Sequence, residues 1–481
     1  MSPTKVDAVR FDEFYNVIDN KNRTSKAKHQ GTNPSTGEKL WDVPVGTQQD
    51  VDDAVISAQK AFETFRYTPV EERKEYLKKF KEAWLSYADE LTDLMCAETG
   101  KPRQFAAYEV KAAAAFFDWH INLDMPVDRL EDAAKIVTTR YTPLGVIGAI
   151  CPWNFPILLS IGKVIPSILT GNAIIVKPSP FTPYTALKMA EIGATVLPAG
   201  VFQVIGGDDM LGPMLTAHPG IAKISFTGSI ATGKKIMSAC AQTLKRVTLE
   251  LGGNDAAIIL PDVDVKKIAP ELVMGAFQNS GQVCVATKRI YIHQDIYDEF
   301  LAEMVTATKN LKIGSPDSGS IIGPVQNYMQ YQRVKEFFAD SKTQGYKFAV
   351  GDSEAPDSSN GFFLKPTIID NPPNDSRIIQ EEPFGPIVPT QPWSDEAEVI
   401  KRANNTNAGL GACVWGKDIE RAEAIAAKLE AGSVFINSFE RPTPQAYFSG
   451  HKESGIGGEW GKDGIKAYCN AHVTHLYKNK A

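Results

Sequence analysis

A chain of 481 residues is too long for one hydrophobic core and points to two or three domains, each large enough to fold without metal or disulfide staples. Its composition is that of an ordinary globular protein, and a net charge of -6 offers no basic field for nucleic acid or an anionic membrane surface. Large polyanions are therefore not expected partners.

The cysteines, at positions 96, 151, 240, 284, 413 and 469, are scattered, with no C-x-x-C pair and no cysteine–histidine set of metal-ligand spacing. Neither a disulfide framework nor a metal site is expected, and a reducing cytoplasm fits such usage.

In chain order, the N-terminal MSPTKVDAVRFDEF mixes both charges with apolar residues, so no secretory signal is expected. Apolar residues at Val51, Ala54, Val55, Ala58, Ala61, Phe62 and Phe65 predict an amphipathic, surface-packed helix. Residues 121–143 interrupt the first domain as a protruding hairpin or arm. Leu144 to Gly162 is nineteen residues without a charge, long enough to propose a membrane span. Pro152 and Pro156 argue against it, because an unpaired amide in lipid is costly. A buried strand, a loop and a core helix are expected there instead.

From GVIGAI onward the pattern is a βαβ rhythm, with strands at AIIVKP (173–178), VFQVI (201–205), KISFTG (223–228) and RVTLELGG (246–253). Thr182 and Pro183 supply an N-cap and an N1 proline for the helix after the second of these. Strands joined by helices imply a mostly parallel sheet covered on both faces. The rhythm restarts after Asn254 with DAAIIL, a helical segment leading to Cys284, RIYIH (289–293) and SVFIN (433–437), a second α/β domain.

Four features carry candidate chemistry, each with a bland alternative. FTGSIATGKK (226–235) follows a strand and opens a helix, where free N–H groups and the helix dipole favour phosphate. It reads as a dinucleotide cradle, as an ordinary turn, or as a P-loop in which Lys235 stands where a magnesium-binding hydroxyl belongs. Lys177 ends a strand at the carboxyl edge, either solvated or in reach of a cofactor ribose or phosphate. Glu250, after Val247 and Leu249, is a capping or paired carboxylate, or a general base whose pKa an apolar setting raises. Cys284 lies in FQNSGQVCVATKR among small and polar residues just ahead of a strand, unlike a buried structural cysteine. It is an inert thiol, or a nucleophile needing a base and oxyanion donors, for which Glu250 and Asn154 are candidates.

Taken together, PWNFP, VKPSP, FTGS, LELGGND, GQVC and EEPFGP, in this order and ending in SGIGGE at 454–459, resemble the aldehyde dehydrogenase superfamily over nearly the whole chain. KPSPFTPYTALK and KRVTLELGGNDAAIILPDVD are most similar to a plant and fungal branch of it. The resemblance implies an α/β fold with a Rossmann-like cofactor domain (1–120 and 144–253), an α/β catalytic domain (254–450), a β oligomerisation arm (121–143) and a C-terminal segment with its own oligomerisation strand (451–481). A homodimer or homotetramer would follow.

The resemblance further implies oxidation of an aldehyde to a carboxylic acid with NAD or NADP, through a thiohemiacetal and a thioester on Cys284. Glu250 would be the base, while Asn154 and the Cys284 N–H would bind the oxyanion. Lys177 would contact the adenine ribose, Gly228 and Ser229 the pyrophosphate, and Glu382 and Phe384 the nicotinamide ribose and ring. Trp153, Gly233, Leu251 and Gly252 complete the cofactor set. Phe155 and Phe448 would line the aldehyde tunnel, and Glu459 could relay protons. Two departures matter. Pro180 stands where NAD-preferring relatives often carry a ribose-binding glutamate, which leaves coenzyme choice open; and near the substrate tunnel the family's PFGG becomes YFSG (447–450), followed by His451, while Arg441 in the preceding loop is either a reader of a substrate carboxylate or a solvated loop residue. A P-loop nucleotide hydrolase and a non-catalytic oligomeric protein of the same fold are the alternatives.

Overall fold

Two parallel-cored sheets form the computed structural model, which describes residues 9–352 and 360–478. The first has, in spatial order, Lys21–Arg23, Asn16–Ile18, Phe202–Val204, Ala173–Lys177, Val146–Ile150, Lys223–Thr227, Arg246–Glu250 and Gly455–Ile456. Its five central strands run parallel, whereas Asn16–Ile18 and Gly455–Ile456 join antiparallel at the flanks. The second sheet runs Lys347–Val350, Thr367–Asp370, Ile387–Trp393, Thr287–His293, Asp255–Ile259, Gly411–Trp415 and Ser433–Ile436.

Why these residues form central strands follows from which faces they cover. Ile147, Ala149, Ile174 and Val176 pack on the Ile161, Val164 and Ile168 face of helix Pro156–Leu169. Their alternates Val146, Ile150 and Ile175 pack on Val51, Val55 and Leu211 on the opposite side. Both faces are therefore apolar, as a sheet sandwiched by helices requires. Each such Ile or Val stabilises the fold by roughly 1.5–3 kcal/mol.

The periodic stripe at 51–65 forms the helix Gln48–Phe65, opened by a capping box between Thr47 and Asp50. The uncharged segment divides into strand Val146–Ile150, a loop, and helix Pro156–Leu169. Among the described residues no helix is long and apolar enough to cross a membrane. Residues 127–143 make a hairpin, Val127–Glu131 with Lys135–Pro143, that Cys469–Tyr477 extends to three antiparallel strands. Strand Ile387–Trp393 escapes a reading by propensity because Pro389 and Pro392 lie within it, where proline normally argues against a central strand.

One local expectation is corrected. Thr182 does not cap the next helix: its hydroxyl turns to the Trp153 carbonyl, and the helix begins at Tyr184. The cap comes from elsewhere in the chain, where the fully buried Glu98 carboxylate accepts from the N–H groups of Tyr184 (2.9 Å) and Thr185 (3.3 Å). Glu98→Ala should cost on the order of 2 kcal/mol, leaving two buried donors unpaired, and be seen as an earlier thermal transition.

Candidate active site

The cleft lies where the carboxyl edge of the first sheet faces the start of the second. Thr227 and Glu250 are paired strand ends in one, and Asp255 and Thr287 are paired strand beginnings in the other. The five residues from Glu250 to Asn254 cross between them.

Helix Val265–Phe277 leads into a tight turn in which Asn279, Ser280 and Gly281 have φ of 50°, 58° and 71°. Successive left-handed residues are strained for anything but glycine, and asparagine tolerates them best of the rest. Hydrogen bonds hold the turn in place: Ser280 Oγ donates to Gly323 O (2.7 Å), Gln282 Nε2 to Asn279 O (2.8 Å), and Gln326 N to Gln282 Oε1 (2.8 Å). This arrangement delivers Cys284 to the cleft half-buried, while the other five cysteines are buried and all six are free.

Asn154 sits on the loop between strand Val146–Ile150 and helix Pro156–Leu169. Its Nδ2 donates to Gln282 O at 3.0 Å, and Asn279 Nδ2 donates back to Asn154 O at 3.3 Å. Two segments more than a hundred residues apart are thereby locked together, leaving the second Nδ2 hydrogen of Asn154 for an oxyanion. Burial pushes the Cys284 thiol up to about 12, with Lys288 opposing. Such a thiol needs a proton acceptor before it can attack.

Glu250 ends its strand buried, and neither carboxylate oxygen has a hydrogen-bond partner. Burial raises its pKa well above the ordinary value; Glu459 adds to the rise, and Lys163 and Lys223 oppose it. A buried carboxyl without hydrogen-bond partners has the properties a general base needs. Its main-chain carbonyl accepts from Gly228 N at 3.0 Å, tying it to the glycine turn.

The cofactor-side residues converge on the same crossing. A Cβ at Gly252 would lie 2.3 Å from Glu382 Oε2, and one at Gly253 would lie 2.7 Å from Cys284 O, so Gly252 leaves room for a side-chain carboxylate and Gly253 lets two main chains approach. Phe384, itself left-handed at φ 48°, sets its ring edge-on to Trp153, centroids 5.4 Å apart. Ser229 caps helix Ile230–Ala241, and Gly233 within it packs directly on Leu251. Gly233 thus serves helix packing in this arrangement. Lys177 is buried at its strand end, its pKa lowered by that burial, with Asp208 and Asp209 nearby. Pro180 O accepts from His29 Nε2 at 2.8 Å.

On the remaining side, Phe448 stacks on Trp460 (centroids 5.1 Å), which meets Phe116 edge-on, while Phe155 lies under the Lys101 ammonium at 3.9 Å. Glu459 is buried among Lys163 Nζ (2.7 Å), the Ser225 hydroxyl and the Tyr468 hydroxyl. Arg441 is exposed, pairs with Glu271 at 3.2 Å and stacks on Phe439. These are the contacts of a solvated loop arginine.

Comparison with known proteins agrees with this geometry. The model of the aldehyde dehydrogenase family matches residues 21–474. The chain belongs to the aldehyde dehydrogenase family. It is 44% identical over 469 residues to a putative aldehyde dehydrogenase, FUS7, of Gibberella fujikuroi, covering 97% of this chain and 100% of that one. It is 36% identical to the chloroplastic aminoaldehyde dehydrogenase ALDH10A8 of Arabidopsis thaliana, covering 92% of each. Among solved structures, the NAD+ complex of the Bacillus cereus aldehyde dehydrogenase superposes with a TM-score of 0.94 at 31% identity, covering 97% of both chains. An E. coli NADP dependent enzyme gives the same TM-score at 33% identity, covering 97% of this chain and 98% of that one. Membership of the aldehyde dehydrogenase family leaves the P-loop and non-catalytic alternatives without support.

Three lysines of this aldehyde dehydrogenase escaped sequence reasoning. Lys163 and Lys223 are buried among helix and strand residues, where a pattern gives no sign of the Glu459 and Glu250 carboxylates they face. Lys288 gave a fainter signal, a cation four residues after the cysteine at the start of a buried strand.

Gly281→Ala would place a Cβ 2.2 Å from Gly385 O at a positive φ, so this variant should lose most activity and unfold at lower temperature. For Glu250 the sign of linkage is set by its raised pKa: the unfolded carboxyl ionises first, so its contribution to stability is lost as pH rises above the unfolded value. Glu250→Gln should therefore raise the thermal midpoint more at alkaline than at acidic pH, relative to the unsubstituted protein.

Proposed function

We propose that this protein oxidises an aldehyde to the corresponding carboxylic acid, with NAD or NADP as acceptor and Cys284 as nucleophile. The observation that carries the reading is the meeting of Cys284, the Asn154 amide, Glu382 and Phe384 around the side-chain-free backbone at Gly252 and Gly253.

A dinucleotide fits the residues present. The helix N-terminus at Ser229 and the Gly228 turn suit a pyrophosphate, Lys177 and Pro180 face the adenine ribose, and Glu382, Phe384 and Trp153 surround the nicotinamide end. When bound, the nicotinamide supplies the hydride acceptor that converts a thiohemiacetal on Cys284 into a thioester.

The protein's own groups do the rest. The Cys284 thiol gives its proton through water to ionised Glu250, its sulfur adds to the aldehyde carbon, and the carbonyl oxygen becomes an anion held by Asn154 Nδ2 and the Cys284 N–H. Glu250, ionised as water enters, takes a proton from that water as it attacks the thioester, and the acid leaves with the thiol restored. Glu459 and Lys163, buried next to Glu250, offer a path by which its proton departs. Phe155, Phe448 and Trp460 give the aldehyde an aromatic wall.

In this reading residues 144–253 carry the coenzyme, 254–450 carry the nucleophile, and the three-stranded arm pairs with a second copy. Exposed apolar residues on the arm, Val127, Leu130, Val473, Leu476 and Tyr477, support a dimer or tetramer. Six free thiols support a reducing cytoplasm. Names among its relatives include aminoaldehyde, betaine aldehyde and phenylacetaldehyde dehydrogenases, so a panel of cationic, aromatic and aliphatic aldehydes is the proper screen.

Assayed with NAD and NADP side by side, Cys284→Ala should lose all aldehyde-dependent coenzyme reduction. Asn154→Ala should slow turnover by roughly two to three powers of ten, the loss typical of one oxyanion donor. Undiminished turnover in the cysteine variant would refute the mechanism.

A further inference from the structure

We infer that Lys288 is a positioning residue that joins the coenzyme-ribose carboxylate Glu382 to the main chain of Cys284, so that seating the coenzyme and aiming the thiol become one event. The inference rests on the coenzyme seat proposed above and deepens it.

Lys288 is the second residue of strand Thr287–His293, and only 3% of it is exposed. A buried ammonium is costly unless it is paired and hydrogen-bonded. Here it donates to the Cys284 carbonyl oxygen and stands 3.1 Å from Glu382 Oε1. Nothing about strand packing requires a charge at this position.

Glu382 is held from two directions. Lys288 holds Oε1, and the bare Cα of Gly252 lies against Oε2. Burial raises the pKa of Glu382, and Lys288 opposes that rise and favours the carboxylate. An anion with free lone pairs is what two ribose hydroxyls need as an acceptor. Two more acids face the ammonium: Asp255, whose carboxylate lies against Gly253 and Gly411, and Glu440, which accepts from Thr287 Oγ1 at 3.0 Å.

At its other end Lys288 fixes the peptide that follows the nucleophile. The Cys284 residue supplies both the sulfur and an oxyanion N–H, so rotation of its backbone would displace both. The strained turn at Asn279 to Gly281 fixes the loop from the preceding side, and Lys288 fixes it from the following side. A shift of Glu382 on ribose binding is thereby transmitted to Cys284 through a single ammonium.

The test uses the full-length protein and two readouts: the dissociation constants of NADH and NADPH by fluorescence, and the rate of Cys284 alkylation by iodoacetamide against pH, with and without coenzyme. In the unsubstituted protein coenzyme should change the alkylation rate and its pH profile. Lys288→Met should weaken coenzyme binding by about tenfold or more, the loss expected for one charge-assisted hydrogen bond, and make alkylation indifferent to coenzyme. Lys288→Arg should restore part of both.

Should Lys288→Met fail to fold, Glu382→Gln decides, since it keeps the lysine and removes the charge it holds; it should weaken binding and abolish the coupling as well. Folded variants that bind and respond like the unsubstituted protein overturn the inference alone. An unsubstituted protein that binds neither coenzyme overturns the functional reading, and the inference with it.

Discussion

Everything at this site depends on how closely two backbones approach at Gly252 and Gly253. A single methyl group on either would meet the Glu382 carboxylate or the Cys284 carbonyl well inside contact distance. Because that space is empty, the crossing between the two sheets packs directly on Glu382 and on the main chain of Cys284. Leu251 N donates to Ser454 O, Ser454 Oγ donates to Gly252 O, and Asn254 Nδ2 donates to Ile379 O, so the crossing is held along its length and cannot relax away.

Around that crossing the structure gathers buried charge that a purely structural core would avoid. Lys163, Lys223 and Glu459 surround Glu250, and Glu382, Asp255 and Glu440 surround Lys288 beside Cys284. Removing one member of such a group leaves its partner unpaired at a typical cost of 3–5 kcal/mol, so these clusters add little to stability that apolar packing could not supply. Their use is to hold protonation states apart. Burial raises the pKa of both Glu250 and Cys284, and the neighbouring lysines oppose that rise in each case.

Much of the fold was legible because its signals are local. The β-rich runs from GVIGAI to SVFIN each became a strand, and the apolar stripe from Val51 became a capped helix, since period and cap depend only on neighbours in the chain. The Thr182 cap failed for the complementary reason. Its sequence context was correct, but the buried Glu98, eighty-six residues before Tyr184, reaches the same N–H groups with its carboxylate oxygens. Similarly, the two prolines in Ile387–Trp393 concealed a strand that tertiary pairing nevertheless enforces.

For the chemistry, the chain alone determined which residue types were available and in what order: a cysteine after a glycine-bearing turn, a glutamate before two glycines, an asparagine between prolines, and a family pattern joining them. Only the tertiary structure decided that Asn154 bonds the loop of Cys284, that Gly233 serves packing against Leu251, that Arg441 faces solvent beside Glu271, and that Lys288 lies between Cys284 and Glu382. The reason is physical. Residue type and local period report a side chain's own preferences, whereas distance, burial and the charge of a neighbour far along the chain exist only once the two sheets have met.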